Sequence, residues 1–475
     1  MSRLCVLFFL AFFNFGILAN PSVVIIGAGP SGIAAATKLL QNGIHDIKIL
    51  EAEDRIGGRI NSVHFSDGIV DLGAQYCHGE KGNVAYNLAK DLDVLEPGLR
   101  SLQNNVYYSN GSRLDPDLIE ELRQVYLKYD QNENYDTKGK SLGDVFIQKY
   151  NTTLFPKHLN SETESLLSEG LRFLEGYVLI HEGAFSWFNV SADCDYVQCE
   201  GNQALTWKGG YKTVLKIMMD GLPIDEKIRL KTRVEQINWD KNTVTVLASN
   251  NRTYSADYAI FTPSVGVLKR HKLFTPNLPI AKQKSVEATG FEGVMKVFLH
   301  FPQKWWGDSD QAFAFFWSQK DLKLIWDKPW VTQVRYILKV PHNSNVWVAW
   351  ITGDLVPEIE KLPLEVFKIG VKFVLERFLN GKYHVTEIGD VLRSNWCTNP
   401  NFGGTYSFTR VGFYNKGFSH QEKLAEPLLN EGKPVVLFAG EATHPVHFQT
   451  VHGAIETGYR EAERIIRIHN HTNKI

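Results

Sequence analysis

The chain has 475 residues, 44% hydrophobic and 22% charged, which excludes a disordered or fibrous protein and leaves room for two or three intertwined domains. Lys and Arg total 51 against 52 Asp and Glu, a net of −1, so the overall balance points neither to nucleic acid nor to an anionic membrane. A polycationic substrate would need only a local acidic site.

At the N-terminus, Arg3 precedes an apolar run from Leu4 to Ala19 and then Asn20-Pro21. This is the pattern of a secretory signal peptide, residues 1–20, cleaved near Ala19. The run is shorter than the ~20 residues of a spanning helix, so no stable membrane anchor is expected. Five Asn-X-Ser/Thr sequons, at Asn110, Asn151, Asn189, Asn251 and Asn470, agree with a secreted, extracellular glycoprotein. Cys194 and Cys199 lie close together in a polar loop and could form a disulfide in an oxidising compartment, a pairing the sequence leaves open, while Cys77 and Cys397 read as buried free thiols. No Cys or His cluster has metal-ligand spacing, so no metal is expected.

Ser22 to Ile26 is a β-branched run, predicted as a parallel strand buried on both faces. It leads into Gly27-Ala28-Gly29-Pro30-Ser31-Gly32 and a predicted helix from Ile33 to Gln41. Gly27 permits the tight turn, Gly29 the close approach of a pyrophosphate, and Gly32 close helix–strand packing. The helix start offers free N–H groups and a positive dipole end to phosphates. A second strand, Ile47 to Leu50, ends in Glu51, an acid positioned to accept hydrogen bonds from an adenosine ribose. The continuation to Gly57-Gly58-Arg59 adds a second close backbone approach and an arginine suited to phosphate oxygens, which favours FAD over NAD.

The middle of the chain differs in character. Met295 to Phe301, Ala312 to Trp317 and Val346 to Ile351 are aromatic-rich strands suited to an antiparallel sheet, Glu365 to Leu379 has helical spacing, and residues 134–193 read as mostly helical. Alternation puts Lys296, Phe298 and His300 on one face of the first strand, so the Lys296 ammonium must reach water, a carboxylate or a cavity. Ser394 to Phe408 reads as strand-like, and Ala256 to Thr262 as a strand leading into Pro263. Towards the C-terminus, Val435 to Ala439 is another buried strand. It delivers Gly440-Glu441, and a helix begins near Thr450-Val451. Gly440 allows close approach, Glu441 suits a ribityl hydroxyl, and the helix start suits the flavin pyrimidine end, where reduced flavin carries negative charge.

The segments GAGPSG, EAEDRIGGR, DLGAQYCHG (Asp71–Gly79), FAGEATH (Phe438–His444) and TVHGAIETG (Thr450–Gly458) together resemble the flavin-containing amine oxidase family, nearest the animal spermine and N1-acetylpolyamine oxidases. The resemblance spans most of the mature chain and keeps the family's order. It implies an α/β fold: a GG-doublet Rossmann-type FAD-binding domain, discontinuous over residues 21–85, 205–290 and 395–475, with an inserted α+β substrate domain from 86–204 and 291–394. Val234 would touch the adenine, Gly73-Ala74 would pass beneath the flavin, and Trp396 would pack along it, unless it is an ordinary core tryptophan. Lys296 would sit beside flavin N5, holding a water.

Monoamine oxidases carry their flavin on a cysteine in the Gly403-Gly404 context. Here that position is Thr405, which implies non-covalent FAD. Tyr406 supplies one wall of the amine site, and the facing aromatic is replaced by Thr450. His78 matches a histidine of the animal enzymes and either contacts a substrate nitrogen or is satisfied by backbone. Glu80 is a candidate for a distal ammonium. The implied reaction is hydride transfer to FAD from the carbon next to a secondary amine of a polyamine, with O2 as acceptor. A secreted L-amino-acid oxidase is the nearest rival, but no arginine stands out to hold a carboxylate. A flavin-binding protein without turnover is the rival from another class.

Overall fold

The computed structural model describes residues 20–472 except 100–104, 131–136, 154–160 and 416–418. Residues 1–19, and with them nearly all of the expected signal peptide, lie outside the described residues. Among the described residues no helix is long and apolar enough to cross a membrane.

Val23–Ile26 is buried at every position, as a strand with no polar alternation must be. It pairs in parallel with Ile47–Leu50 on one side and Tyr258–Phe261 on the other, and the sheet continues through Lys433–Phe438 to an antiparallel edge at Leu428–Asn430. Ile228–Arg229 closes the opposite edge. The N- and C-terminal strands therefore belong to one six-stranded sheet.

The helix Pro30–Gln41 has Pro at its first position, where the missing N–H costs nothing. Its alanine-rich body packs against the last helix, Val451–Thr472. The two backbones meet at Gly458, where a Cβ would stand 2.2 Å from Ser31 O. Only glycine fits there.

A second six-stranded sheet runs in the order Val391–Arg393, Val294–His300, Val346–Thr352, Val334–Lys339, Ala312–Phe316, Val106–Tyr108. It is antiparallel except at its last pair, Ala312–Phe316 with Val106–Tyr108. The alternation predicted for its second strand is realised. Met295, Val297, Leu299 and Phe301 pack with Phe367, Val371, Val374 and Phe378 of the helix Leu364–Leu379. Val294 and Phe298 pack on the opposite face with Val178 and Leu179 of the helix Ser161–Glu182. Burying each large apolar side chain contributes roughly 1.5–3 kcal/mol, so both faces hold this strand in register, and a one-residue slip would turn Lys296 into the opposite core.

Three expectations are corrected. Ser394 to Phe408 is mostly turn, extended only at Ser407–Thr409, because Pro400 removes a donor and Gly403 and Gly404 take positive φ. Ala256 to Thr262 is split into Thr253–Ala256 and Tyr258–Phe261 at Asp257, whose carboxylate accepts hydrogen bonds from Ser22 N and Oγ. Cys194 and Cys199 are both free thiols. Cys199 is buried beside His447 and His452, whereas Cys194 stands at the edge of the large cavity described next.

Candidate active site

A connected cavity of about 1710 Å³ runs from the C-terminal ends of the parallel strands to the lower face of the second sheet. That exceeds the ~300–1,000 Å³ of a site for one small ligand and gives room for a dinucleotide and a substrate end to end. Most residues singled out from the sequence for the cofactor or the chemistry line it; Gly32, Gly57 and Glu80 do not. Gly32 lies behind the wall. A Cβ there would stand 2.0 Å from Gly27 O, so its part is the helix–strand packing assigned to it.

At the nucleotide end, Gly27 has φ +103° and Gly58 φ +57°, and a Cβ on Gly58 would come 3.3 Å from Gly29 Cα. The two glycine motifs thus meet backbone to backbone. Glu51, 6% exposed, accepts hydrogen bonds from Ala28 N at 2.7 Å and Glu53 N at 2.8 Å. It braces the glycine turn from below while its edge lines the cavity near Val234. Burial raises its pKa against the lowering effect of those N–H groups.

In the central section, Arg59 Nη1 donates to Glu441 Oε1 at 2.8 Å and to Thr405 O at 2.7 Å. The second Glu441 oxygen accepts from Ser407 Oγ and Gln449 N. Sequence alone assigned Arg59 to phosphate and Glu441 to ribityl; in the structure each holds the other, and both still line the cavity. Ala74 N donates to Arg59 O, and a Cβ on Gly73 would meet that oxygen at 1.8 Å, so the Gly73-Ala74 segment lies flat on the Arg59 backbone. Trp396 donates its Nε1–H to Leu72 O and has its ring edge 3.1 Å from where a Gly73 Cβ would stand. Thr450 caps the last helix: its Oγ1 accepts from Gly453 N and donates to His447 O. Val451, in that first turn, lines the cavity.

Beyond this point the walls become aromatic, with Tyr76, Tyr177, Tyr336, Trp350 and Tyr406. Lys296, 4% exposed, brings Nζ to 2.8 Å from Gly73 O, 2.8 Å from Gln75 Oε1 and 3.1 Å from Asp71 O, with the Trp350 ring centroid at 4.7 Å. Burial pulls its pKa down to about 7, with the Asp71 carboxylate acting the other way. Tyr406 donates its hydroxyl to Ile180 O, which fixes its ring against Gly183. His78 bonds through Nδ1 to Gln203 O at 2.7 Å. Nδ1 therefore carries the proton, and Nε2 is left as an acceptor. Burial lowers the His78 pKa, so the ring is neutral at pH 7.

One functional residue escaped the sequence reading. Glu182, the last residue of the helix Ser161–Glu182, opens into the aromatic chamber beside His181. Desolvation pushes its carboxyl up to about 7, and a hydrogen bond from the Gln449 side chain opposes that. Glu80, the acid favoured from sequence, does not line the cavity; its carboxylate accepts from Asn202 N. The only signal for Glu182 was an acid before a helix-ending glycine, which is a common surface pattern.

The residues present fit FAD: a glycine-lined trough, a braced acid at the adenosine end, and a helix N-terminus at the other. A dinucleotide trough that continues past a buried lysine into an aromatic chamber defines a flavin-dependent oxidoreductase. The chain belongs to the flavin-containing amine oxidoreductase family, whose model matches residues 30–466, and it is an FAD-dependent amine oxidase. It is 27% identical to the probable polyamine oxidase 5 of Arabidopsis thaliana over 94% of this chain and 98% of that protein. It is 27% identical to the peroxisomal N(1)-acetyl-spermine/spermidine oxidase of Bos taurus, over 94% and 95%. It is 29% identical to polyamine oxidase 3 of Oryza sativa subsp. japonica, over 94% and 89%. Among solved structures, a putrescine oxidase double mutant redesigned in cofactor binding aligns with a TM-score of 0.67 at 18% identity, covering 94% of this chain and 99% of that one, which shows the shared fold.

Proposed function

We propose that this protein is a secreted polyamine oxidase, acting at the carbon next to a secondary amine of spermine or an N1-acetylpolyamine. The observation that carries this reading is the Glu182 carboxylate opening into the aromatic chamber. A buried acid held near half-ionisation becomes a strong partner for a cation that enters with it. The names of the relatives, which act on polyamines, agree with this reading. The signal-peptide pattern and sequons support the secretory route.

The chemistry that FAD supplies when bound is two-electron oxidation of a C–H bond next to an amine nitrogen, with the electrons passed on to O2 as hydrogen peroxide. The oxidised substrate hydrolyses to an aldehyde and a shorter amine. Around that step the protein's own groups position and exclude. Tyr406, fixed through Ile180, gives the substrate chain a flat wall. His78 Nε2 accepts a hydrogen bond from a substrate N–H and, being neutral, does not repel an ammonium. Glu182 holds a distal ammonium, which sets how deep the chain slides. Lys296 Nζ gives its three N–H donors to Asp71 O, Gly73 O and Gln75 Oε1; it orders a water when the Gln75 side chain yields its place, and it holds a proton at the chamber floor.

Replacing Glu182 by Gln tests this assignment. KM for spermine rises at least about 10-fold, while KM for a monoamine stays within about 2-fold. In the wild type, kcat/KM for spermine climbs as pH rises through about 7, where Glu182 becomes ionised, and this limb flattens in the variant. Equal effects on both amines would remove Glu182 from the polyamine site.

A further inference from the structure

Cys199 lies 248 positions from His447 and 253 from His452, but the fold brings Cys199 Sγ, His447 Nε2 and His452 Nε2 within 4.8 Å of one another. Sequence spacing gave no sign of this cluster, which forms only in the fold. Cys199 Sγ stands 3.9 Å from His447 Nε2 and 3.7 Å from His452 Nε2. In a tetrahedral zinc centre, Zn–S of about 2.3 Å and Zn–N of about 2.0–2.1 Å place sulfur and nitrogen roughly 3.6 Å apart. The two sulfur–nitrogen distances come within about 0.3 Å of that geometry.

The surroundings are built for the same end. His447 turns its other nitrogen, Nδ1, to Glu456 Oε2 at 3.2 Å, the carboxylate–histidine arrangement that orients a metal-binding ring. His444 stacks on His447 with ring centroids 4.8 Å apart, accepts from His447 N at Nδ1, and contacts Glu456 Oε2 through Nε2 at 2.9 Å. Glu456 is thereby satisfied as a support. Its contacts to the two histidines are of hydrogen-bond length, so the metal belongs on the Cys199 side. The backbone of the cysteine segment is also held: Cys199 O accepts from Gln203 Nε2, and Val197 N donates to Val446 O. Cys199 and His452 are both buried.

We propose that Cys199, His447 and His452 bind one zinc ion, with water or another small donor in the fourth position. A thiolate with two imidazoles suits zinc better than a hard cation such as calcium or magnesium. Binding releases the thiol proton of Cys199 to solvent. The ion pins the loop that carries Tyr196, Val197 and Gln198 to the first turn of the last helix, next to Thr450 and Val451, and so fixes one wall of the cavity.

The test uses the full chain purified with its flavin and dialysed against micromolar zinc. Elemental analysis gives about one zinc per chain for the wild type and for Cys194→Ser, and less than about 0.1 for Cys199→Ser and His447→Gln, with flavin absorbance confirming that the variants fold. Cobalt(II) in place of zinc gives a thiolate charge-transfer band and tetrahedral visible absorption, both lost in Cys199→Ser. Wild-type zinc no higher than in Cys199→Ser overturns the proposal. So does a Cys194–Cys199 disulfide found by mass spectrometry in the purified protein.

Discussion

Arg59 Nη1 stands 2.8 Å from Glu441 Oε1 and closes an ion pair between positions 382 residues apart. The pair does for the flavin trough what a disulfide would do for a loop. It ties the second glycine motif, which follows the second strand, to the segment delivered by the strand Lys433–Phe438. Glu441 adds Ser407 and Gln449 to the same knot, so four segments meet on one 4%-exposed carboxylate.

Removing Arg59 leaves the buried Glu441 charge without its partner, which typically costs about 3–5 kcal/mol, and removing Glu441 strands the partly exposed Arg59 at a smaller cost. Arg59→Met and Glu441→Gln should each lower the thermal midpoint and weaken FAD binding at least about 10-fold. Glu441→Ala should cost more, because Ser407 Oγ and Gln449 N also lose their acceptor. Differential scanning calorimetry with and without added FAD checks this; unchanged midpoints would reduce the pair to a surface contact.

Thr405, which the sequence resemblance sets at the position of the flavin-bearing cysteine of monoamine oxidases, donates its hydroxyl to Glu292 O. A hydroxyl at this point offers no thiolate for a thioether. Acid precipitation should therefore leave all the yellow colour in the supernatant as free FAD. Colour retained in the pellet would show a covalent link.

Four of the five sequon asparagines, Asn110, Asn151, Asn251 and Asn470, are exposed. Asn189 is not, and its Nδ2 donates to the Glu292 carboxylate at 3.1 Å. If the chain passes through the secretory route, glycopeptide mapping should find glycans among the first four and none at Asn189. A glycan at Asn189 would require this contact, and the neighbouring bond from Phe185 N to Glu292, to be undone.

What could be read from sequence divides along physical lines. Gly27, Gly29 and Gly32 were legible because their roles depend on backbone geometry within one turn, and Lys296 because alternation along one strand fixes its face. The roles of Arg59 and Glu441 were half legible. Both were seen to line the cofactor path, but their bond to each other arises only when the sheet closes. Glu182 was hidden, since its aim depends on where a long helix stops, at Gly183 with φ +65° against the Tyr406 ring. Cys199 beside His447 and His452 was hidden for the same reason: spacing rules see ligands near in sequence, and this thiol stands 248 positions before His447.

The most direct measurement of the central claim is peroxide release with product identification, using spermine, N1-acetylspermine, a monoamine and leucine at equal concentration. Oxidation at a carbon next to a secondary amine predicts that one of the two polyamines has a kcat/KM at least about 100-fold above the monoamine and leucine, with one aldehyde and one shorter amine formed per peroxide. A protein that carries FAD yet prefers leucine or the monoamine, or releases no peroxide with any of the four, would contradict it.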